Sequence, residues 1–507
     1  MTYTNILGNK MLIKPKRALI SVYDKKGIID FCSALEKVTI DLYATPGTKK
    51  FLCSNGVKAF DTETYTGFSE LLGGRVKTLH TNIHAAILAR TQDIKHVRKQ
   101  HIEPIDMVIC NFYPFQLGIE EMDIGGPAMI RAAAKNWRRV VVVSSPSQYT
   151  SVKHYLKKGF DDHIRNELAI EALRRTSYYD AMLIQQTSKT LFPTITNFPY
   201  IKKHTLRYGE NPHQQAALYM KENATEPSIV TAIKMQGKEL SYNNILDAHH
   251  AIECIKEFEM PSAVIIKHAT PSGIASASSV EKAWDDAFAT DIYSPFGGVV
   301  AINRSLNGAL AKKMSSIFLE VLIAPSFKKE ALTILKNKKN LRLLKITQLS
   351  HAKRHTSLEI RSIGEGLLVQ ERDVKPITSS EWKTVTKKQP TQKDIKSMIF
   401  ALKCVRHVKS NSVVFVKGTK TVGIGGGQTS RVDATWIATH KGQTNIKNSI
   451  MASDAFFPFR DAVDVAAKAG VRAIVQPGGS IRDEEVLQAA DEHNIIMVLT
   501  GQRFFLH

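Results

Sequence analysis

Through its first 200 residues the chain alternates short apolar runs with stretches of helical spacing, a pattern that confines it to βα units around a mostly parallel sheet. Residues 18–22 read as a buried strand, 24–27 as a polar turn and 28–36 as a helix. Residues 107–111 and 140–144 are apolar and rich in β-branched side chains, as central strands are. Gly125, Gly126 and Pro127 lead into a helix over 128–136, because proline suits a helix's first turn. Sheets of this kind bind ligands beyond the carboxyl ends of their strands, so the loops that follow the strands are the places to look for chemistry.

At 507 residues the chain exceeds what one hydrophobic core supports, and two to four domains are expected. Pro193 and Pro199 interrupt the pattern within 192–203 and set a boundary there, with one domain over 1–199 and a second region over 200–507. In that region 263–266, 297–302, 473–475 and 495–499 read as strands and 483–492 as a helix. Ser480 and Asp483 stand at capping-box spacing before this helix, with Asp in place of the usual Glu or Gln. No short-period repeat is visible, which argues against solenoids and propellers.

The formal net charge is +22, and residues 328–409 alone hold 20 basic against 7 acidic side chains. Such an excess suggests anionic partners, nucleic acid first among them. The stretch has few aromatics and no nucleic-acid motif, so it reads as solvated surface whose field favours small anionic substrates. Residues 1–16 lack the apolar core of a signal peptide, and no run of about 18 apolar residues is present. A cytoplasmic protein with neither membrane nor nucleic-acid partner is expected. Cys32, Cys53, Cys110, Cys254 and Cys404 are scattered without CxxC spacing, which suits structural thiols and predicts no metal centre.

Three loops of the first domain look built to hold a phosphorylated ligand. SVYDKKG (21–27) lies between strand and helix, where backbone N–H groups and the helix dipole favour an anion. ATPGT (44–48) repeats that design, and GGRVKT (73–78) sets two cations beside a glycine pair. Tyr113 follows a strand and Asp123 precedes the helix that Lys135 closes. Asp123 reads equally as a helix N-cap, and Lys135 as a favourable charge at a helix C-terminus.

In the second region Arg207 and Tyr208 open RYGENPH (207–213), where arginine suits fork-like contact with phosphate. Asn243 and Asn244 suit either the edge of a heterocycle or a turn. Lys267 and His268 directly follow an apolar strand, and a turn over 270–273 (TPSG) is expected to bring both to one cleft. Histidine suits general-base duty, and an adjacent ammonium stabilises an oxyanion, although a surface histidine fits the pattern as well. GIGGGQTSR (423–431) lacks the GK[ST] ending of a P-loop, which excludes ATP binding of that kind.

GGRVKTLH (73–80), DIGGPAMIRAAAKN (123–136), LRYGENPHQ (206–214), SDAFFPFRDAVD (453–464), PGGSIRDEEV (477–486) and GQRFFLH (501–507) occur in this order. Together they resemble the bifunctional purine-biosynthesis enzymes that join an aminoimidazole carboxamide ribonucleotide (AICAR) transformylase to an inosine monophosphate (IMP) cyclohydrolase. The resemblance runs from about Arg17 to His507. It implies α/β and α+β architecture: a methylglyoxal-synthase-like parallel-sheet domain for the cyclohydrolase over 1–199, then a transformylase region over 200–507. That region would hold two cytidine-deaminase-like subdomains without zinc. A homodimer sharing the formyl-transfer site and 10-formyltetrahydrofolate as co-substrate are also implied.

The same resemblance implies roles for matching residues. Lys267, His268 and Asn411 would be catalytic in formyl transfer to AICAR, and Lys77, Tyr113, Asp123 and Lys135 in closing the formylated product (FAICAR) to IMP. Ser21, Lys25, Thr48, Arg75, Thr78, Asn111 and Gly125 would contact substrate in the first domain. Arg207, Tyr208, Asn244, Gly297, Arg431, Phe459, Asp461 and His507 would do so in the second, the last three on the folate side. Tyr23, Lys26, Pro46 and Thr81 depart from the family's usual residues around the presumed phosphate loops. A transformylase with an impaired cyclohydrolase domain, and a basic nucleic-acid-binding protein, are the alternative readings.

Overall fold

The computed structural model describes residues 12–114, 118–349 and 358–507. The chain divides into two compact units, Met1–Tyr200 and Ile201–His507.

Among the described residues, the first unit builds a five-stranded sheet in the order Phe60–Asp61, Asp41–Ala44, Arg17–Val22, Met107–Asn111, Val141–Val143. Every pairing is parallel. Arg17–Val22 and Met107–Asn111 are buried apart from Arg17, Ser21 and Asn111, and Val141–Val143 is buried throughout, as apolar runs are when helices cover both faces. The helix Ile28–Glu36 starts and ends where its spacing predicts, with Gly27 left-handed at φ 70° in the turn before it. Gly125–Lys135 is a helix, and Asn136 is its C-cap. The chain leaves Arg17–Val22 toward one edge and returns on its other side at Met107–Asn111, so strand order reverses between these two. Val22 and Asn111 are paired at the carboxyl end of that reversal, where an open α/β sheet has its crevice.

The second unit holds a twelve-stranded sheet among the described residues, and it is an internal repeat. Ser262–Lys267 and Thr270–Ser276 form a hairpin, followed outward by Gly298–Ile302, Leu319–Ala324, Arg342–Lys345 and Ile233–Gln236. Val413–Lys417 and Lys420–Gly425 form the matching hairpin, followed by Ile450–Ser453, Ala473–Gln476, Ile496–Leu499 and Lys383–Thr384. Parallel and antiparallel steps fall at the same places in both halves. Thr270–Ser276 and Lys420–Gly425 meet antiparallel at the centre. Helices Tyr242–Ile255 and Gln392–Val405 share one core across both halves, whereas the opposite face carries a separate core for each half.

Two local expectations are corrected. Residues 270–273 are strand, with a bulge between Pro271 and Gly273; the turn is His268–Ala269, both at positive φ (51° and 59°). A two-residue hairpin of type I′ needs this conformation at both central positions, and neither His nor Ala advertises it. Ser480 and Asp483 make no capping box: Asp483 accepts from Gly479 N and Ser480 from Arg482 N, so both brace the glycine turn. The basic stretch is also less solvated than it reads. Arg342, Arg372 and Arg406 pair with Glu320, Glu226 and Glu257, carboxylates outside that stretch.

Candidate active sites

In the first unit the side chain of Asn111 organises the crevice. Its Oδ1 accepts from Tyr23 N at 2.7 Å and Asp24 N at 2.9 Å, and its Nδ2 donates to Asp24 O at 3.0 Å. These bonds use the backbone of the loop, so tyrosine at 23 leaves the anchor intact, and its ring packs edge-on against Tyr113. Lys25 Nζ donates to Val22 O and to Thr48 Oγ1 (3.1 Å). Burial pushes its ammonium below the ordinary lysine range. Thr45 Oγ1 reaches Ser21 Oγ and Thr48 Oγ1, both at 3.4 Å.

The helices Ile28–Glu36 and Pro46–Ser54 both begin without a side-chain cap. Two uncapped N-termini at one sheet edge offer backbone N–H groups to an anion. Pro46 is the first residue of its helix, where its missing N–H costs nothing. Thr81 likewise opens the helix Thr81–Leu88, which His80 caps through Nδ1. The departures at 23, 46 and 81 therefore fit their surroundings.

Asp123 lies at the start of the helix Gly125–Lys135, where its Oδ1 accepts from Gly126 N at 2.7 Å. Tyr179 OH accepts from Asp123 N at 3.0 Å. Burial raises the Asp123 pKa despite backbone bonds from Gly126 and Tyr113 and the nearby Lys77 ammonium, all of which pull it down. Asp123 thus precedes the N-cap residue Ile124 and binds a backbone N–H of the helix's first turn. Lys77 is half-buried and 3.6 Å from Glu70, and Thr78 is buried. A Cβ at Gly125 would stand 2.5 Å from Thr78 Oγ1, so only glycine lets these loops touch. Arg75 is exposed beside Glu120 at 3.6 Å. Lys135 is exposed at the far end of the helix, about 15 Å along the axis from its start. Within this chain it is not brought to Asp123.

In the second unit the strained turn presents His268. Ala269 N donates to Asp247 Oδ1 at 2.7 Å, which ties the turn to the helix Tyr242–Ile255. Asn244 is in the capping box that opens this helix, and Asn243 Nδ2 donates to Glu210 O at 3.3 Å. That bond brings in the loop of Arg207 and Tyr208, where the guanidinium stacks 5.0 Å over the phenol ring. Lys267 Nζ donates to Phe296 O at 2.9 Å and Gly297 O at 3.2 Å. Lys267 lines a cavity of about 290 Å³ with Thr270, Ser272, Asp291, Gly426 and Gln428. His268 is exposed and not part of that lining, so the two neighbours face different surroundings in this chain.

On the same sheet edge, Asn411 Nδ2 donates to Gln428 O at 3.0 Å, the residue on the cavity's other wall. Arg431 donates to Asn411 Oδ1 at 2.9 Å, Asp454 Oδ1 at 2.7 Å and Phe456 O at 2.8 Å. Its buried Nε has no hydrogen-bond partner. Phe504 N donates to Asp454 O and Ser410 N to Leu506 O, which brings the C-terminal segment and His507 alongside. Phe459 is exposed with Arg482 stacked 4.8 Å over its ring, and Asp461 opens the helix Asp461–Lys468.

A family model described as "AICARFT/IMPCHase bienzyme" matches residues 133–441. The chain belongs to the AICARFT/IMPCHase bienzyme family. A model for the MGS-like domain matches 27–138, so an MGS-like N-terminal domain with a parallel sheet precedes the rest. Three relatives named "Bifunctional purine biosynthesis protein PurH" match over their whole length. Those of Acetivibrio thermocellus and Persephonella marina are 44% and 45% identical over 97% of this chain. That of Magnetococcus marinus is 42% identical over 98% of it. A solved structure titled "Crystal structure of ForH" is 33% identical over 34% of this chain and 98% of its own, at a TM-score of 0.32.

Of the candidate site residues, Tyr179 lies in no segment that the sequence singles out, while Asp247, Gln428 and Asp454 lie in or beside such segments without standing out individually. Tyr179 and Asp247 sit mid-helix and look like ordinary amphipathic positions. Asp454 is completely buried, and only its place within SDAFFPFRDAVD hinted at a role. Among the described residues no group of three or more His, Cys, Asp or Glu side chains is placed to hold a metal ion, and no helix is long and apolar enough to cross a membrane. Of the five cysteines, Cys32, Cys110, Cys254 and Cys404 are buried and Cys53 is exposed.

Proposed function

We propose that the chain's two activities are housed separately, ring closure in residues 1–200 and formyl transfer in residues 201–507. As an AICARFT/IMPCHase bienzyme the chain is a bifunctional enzyme of de novo purine biosynthesis. It transfers a formyl group to the 5-amino group of AICAR and closes FAICAR to IMP with loss of water. The observation that carries the division is that each unit holds its own proton-moving groups at the edge of its own sheet: Asp123 and Lys77 in one, Lys267 and His268 in the other. The hydrogen bonds that tie the first unit's loops together at Asn111 and at Lys25–Thr48 support this reading, and nothing favours an impaired cyclohydrolase.

In ring closure the carboxamide nitrogen attacks the neighbouring formyl carbon and water departs. Holding the two groups in contact supplies much of the rate. The loops of Ser21, Lys25, Thr48 and Asn111 anchor the phosphate, with Arg75 and Thr78 at the substrate's rim and Gly125 allowing close approach. Asp123, whose carboxyl burial raises above the ordinary carboxylate range and so makes a better base, moves the nitrogen's proton toward the departing hydroxyl. Lys77 faces the oxyanion and Tyr113 relays protons beside it. Lys135 enters this site only from elsewhere, which a partner subunit provides in a homodimer.

In formyl transfer the substrate amine is conjugated with an electron-poor ring and needs its proton removed as it attacks. His268 takes that proton, Lys267 stabilises the formyl oxyanion or protonates the departing nitrogen, and Asn411 stands alongside. Arg207, Tyr208, Asn244, Gly297 and Arg431 hold the ribonucleotide. The 10-formyltetrahydrofolate co-substrate supplies the formyl group; exposed Phe459, Asp461 and His507 fit a planar heterocycle with N–H donors. A cavity of about 290 Å³ is at the lower limit for one drug-sized ligand, short of a nucleotide plus a folate. A second subunit completing the site accounts for that shortfall, and a cytoplasmic homodimer is the expected form. A two-step assay tests the division: Asp123→Asn should lose ring closure and keep folate release, and His268→Gly the reverse. Joint loss in a folded variant would refute it.

A further inference from the structure

The hairpin of Lys267 and His268 has a counterpart at the opposite end of the sheet. Val416 and Lys417 close a strand as Ile266 and Lys267 do, and Gly418 takes the left-handed conformation (φ 63°) that His268 takes (φ 51°). Val416 pairs with Ile450 as Ile266 pairs with Val299. Two residues before these partners, Asn448 (φ 63°) and Gly297 (φ 69°) are both left-handed. Asp394 fills the capping-box position of Asn244, each at the start of a 14-residue helix. The repeat therefore rebuilds the frame of one candidate site from different side chains.

Around the rebuilt frame is a cavity of about 400 Å³, lined by Lys393, Lys417, Gly418, Asn448 and Arg472 together with the strand residues Val416 and Ile450. Arg472 is held against the buried Asp394 carboxylate. Among the described residues neither Lys393 nor Lys417 is ion-paired. Three cations against one fixed carboxylate leave a net charge of two to be met by a ligand. A Cβ at Gly418 would meet nothing within 4 Å, so no neighbouring atom crowds the base of the position that His268 holds in the other hairpin.

We propose that this cavity binds a small phosphate monoester, as a dianion, without acting on it. Arg472 offers a planar fork and the two lysines offer point charges, the pairing that phosphate groups favour. The volume admits a phosphate with a sugar attached. Replacing histidine by glycine removes the general base while leaving the electrostatic frame, so the second half of the repeat binds where the first reacts. The inference stands on the repeat and the cavity lining, and it survives if the division of activities does not.

Limited acetylation of the full chain, read lysine by lysine by peptide mass spectrometry, tests it. Ribose 5-phosphate should slow acetylation of Lys393 and Lys417, by about tenfold at ten times its dissociation constant. Potassium chloride at matched ionic strength should not. Protection of Lys417 should disappear in Arg472→Gln and in Lys393→Gln, the second guarding against misfolding of the first. Protection by inorganic phosphate as well assigns recognition to the phosphate group, and protection by the ester alone adds a sugar contact; either supports the proposal. Unchanged rates, equal slowing by potassium chloride, or protection surviving in both variants would overturn it.

Discussion

Asp247 Oδ1 accepts the backbone N–H of Ala269 at 2.7 Å and so holds the turn that presents His268. Non-glycine residues at positive φ persist only where their surroundings over-determine them, at roughly 1–3 kcal/mol each. A hydrogen bond to a charged acceptor contributes about 1.5–3 kcal/mol. Asp247→Ala is expected to destabilise the protein by about that amount and to slow formyl transfer, whereas Asp247→Asn keeps an acceptor and recovers most of both. Denaturant midpoints and folate release check this; an unaffected Asp247→Ala would remove the anchor from the account.

His268→Gly and His268→Ala separate strain from chemistry. Both are expected to lower formyl transfer by about 10²- to 10⁴-fold, the usual share of a positioned acid or base. Glycine relieves the left-handed conformation, about 1–2 kcal/mol, against an entropic cost of about 0.4–1 kcal/mol in the unfolded chain. The glycine variant should therefore unfold at a higher temperature than the alanine variant. The reverse order would mean that the turn is unstrained.

Asp123 sets a pH dependence. Its folded pKa is raised by burial, so the folded protein binds this proton more readily than the unfolded chain. The group's contribution to stability is full below the unfolded carboxylate pKa and is lost as pH rises through the folded value. Asp123→Asn, which keeps an acceptor for Gly126 N, should flatten this loss and be at least as stable at neutral pH. Ring closure should fall by about 10²-fold or more. Thermal melts across the acid range, alongside FAICAR consumption, give the answer; a variant that melts lower at neutral pH contradicts the sign.

Arg431 and Asp454 form a pair with almost no solvent contact. Removing one partner strands the other's charge, at about 3–5 kcal/mol, whereas replacing both with apolar residues is often nearly neutral. Asp454→Ala should lose several kcal/mol on this scale, and Arg431→Met/Asp454→Leu should recover much of it. Chemical denaturation of the two variants decides it. Equal losses would show that packing, rather than the stranded guanidinium, sets the cost.

Some of the site was legible in the sequence. The loops after residues 22 and 44 stand where α/β chemistry belongs, and the helix Gly125–Lys135 begins at its glycine-proline signal. Lys267 stands out as a candidate because it closes an apolar strand. The turn beside it was misplaced because TPSG carries stronger turn residues than His268–Ala269 does, and hairpin pairing overrode that preference. The capping box at Ser480 failed for a similar reason: spacing names a possible bond, while the glycine turn decides which donors are within reach.

By itself the sequence determined the periods, hence the strands Arg17–Val22 and Met107–Asn111, and the ordered motifs that mark the family. These depend on neighbours within a few residues, where side-chain spacing and turn chemistry act. Only the tertiary structure decided that Asn111 grips the backbone of Tyr23 and Asp24, that burial raises Asp123, and that Lys135 lies a helix-length away from it. It alone decided that Lys267 and Lys417 face opposite ends of one repeated sheet. Desolvation and hydrogen bonding at a site are set by groups distant along the chain, and their approach exists only once the cores have packed.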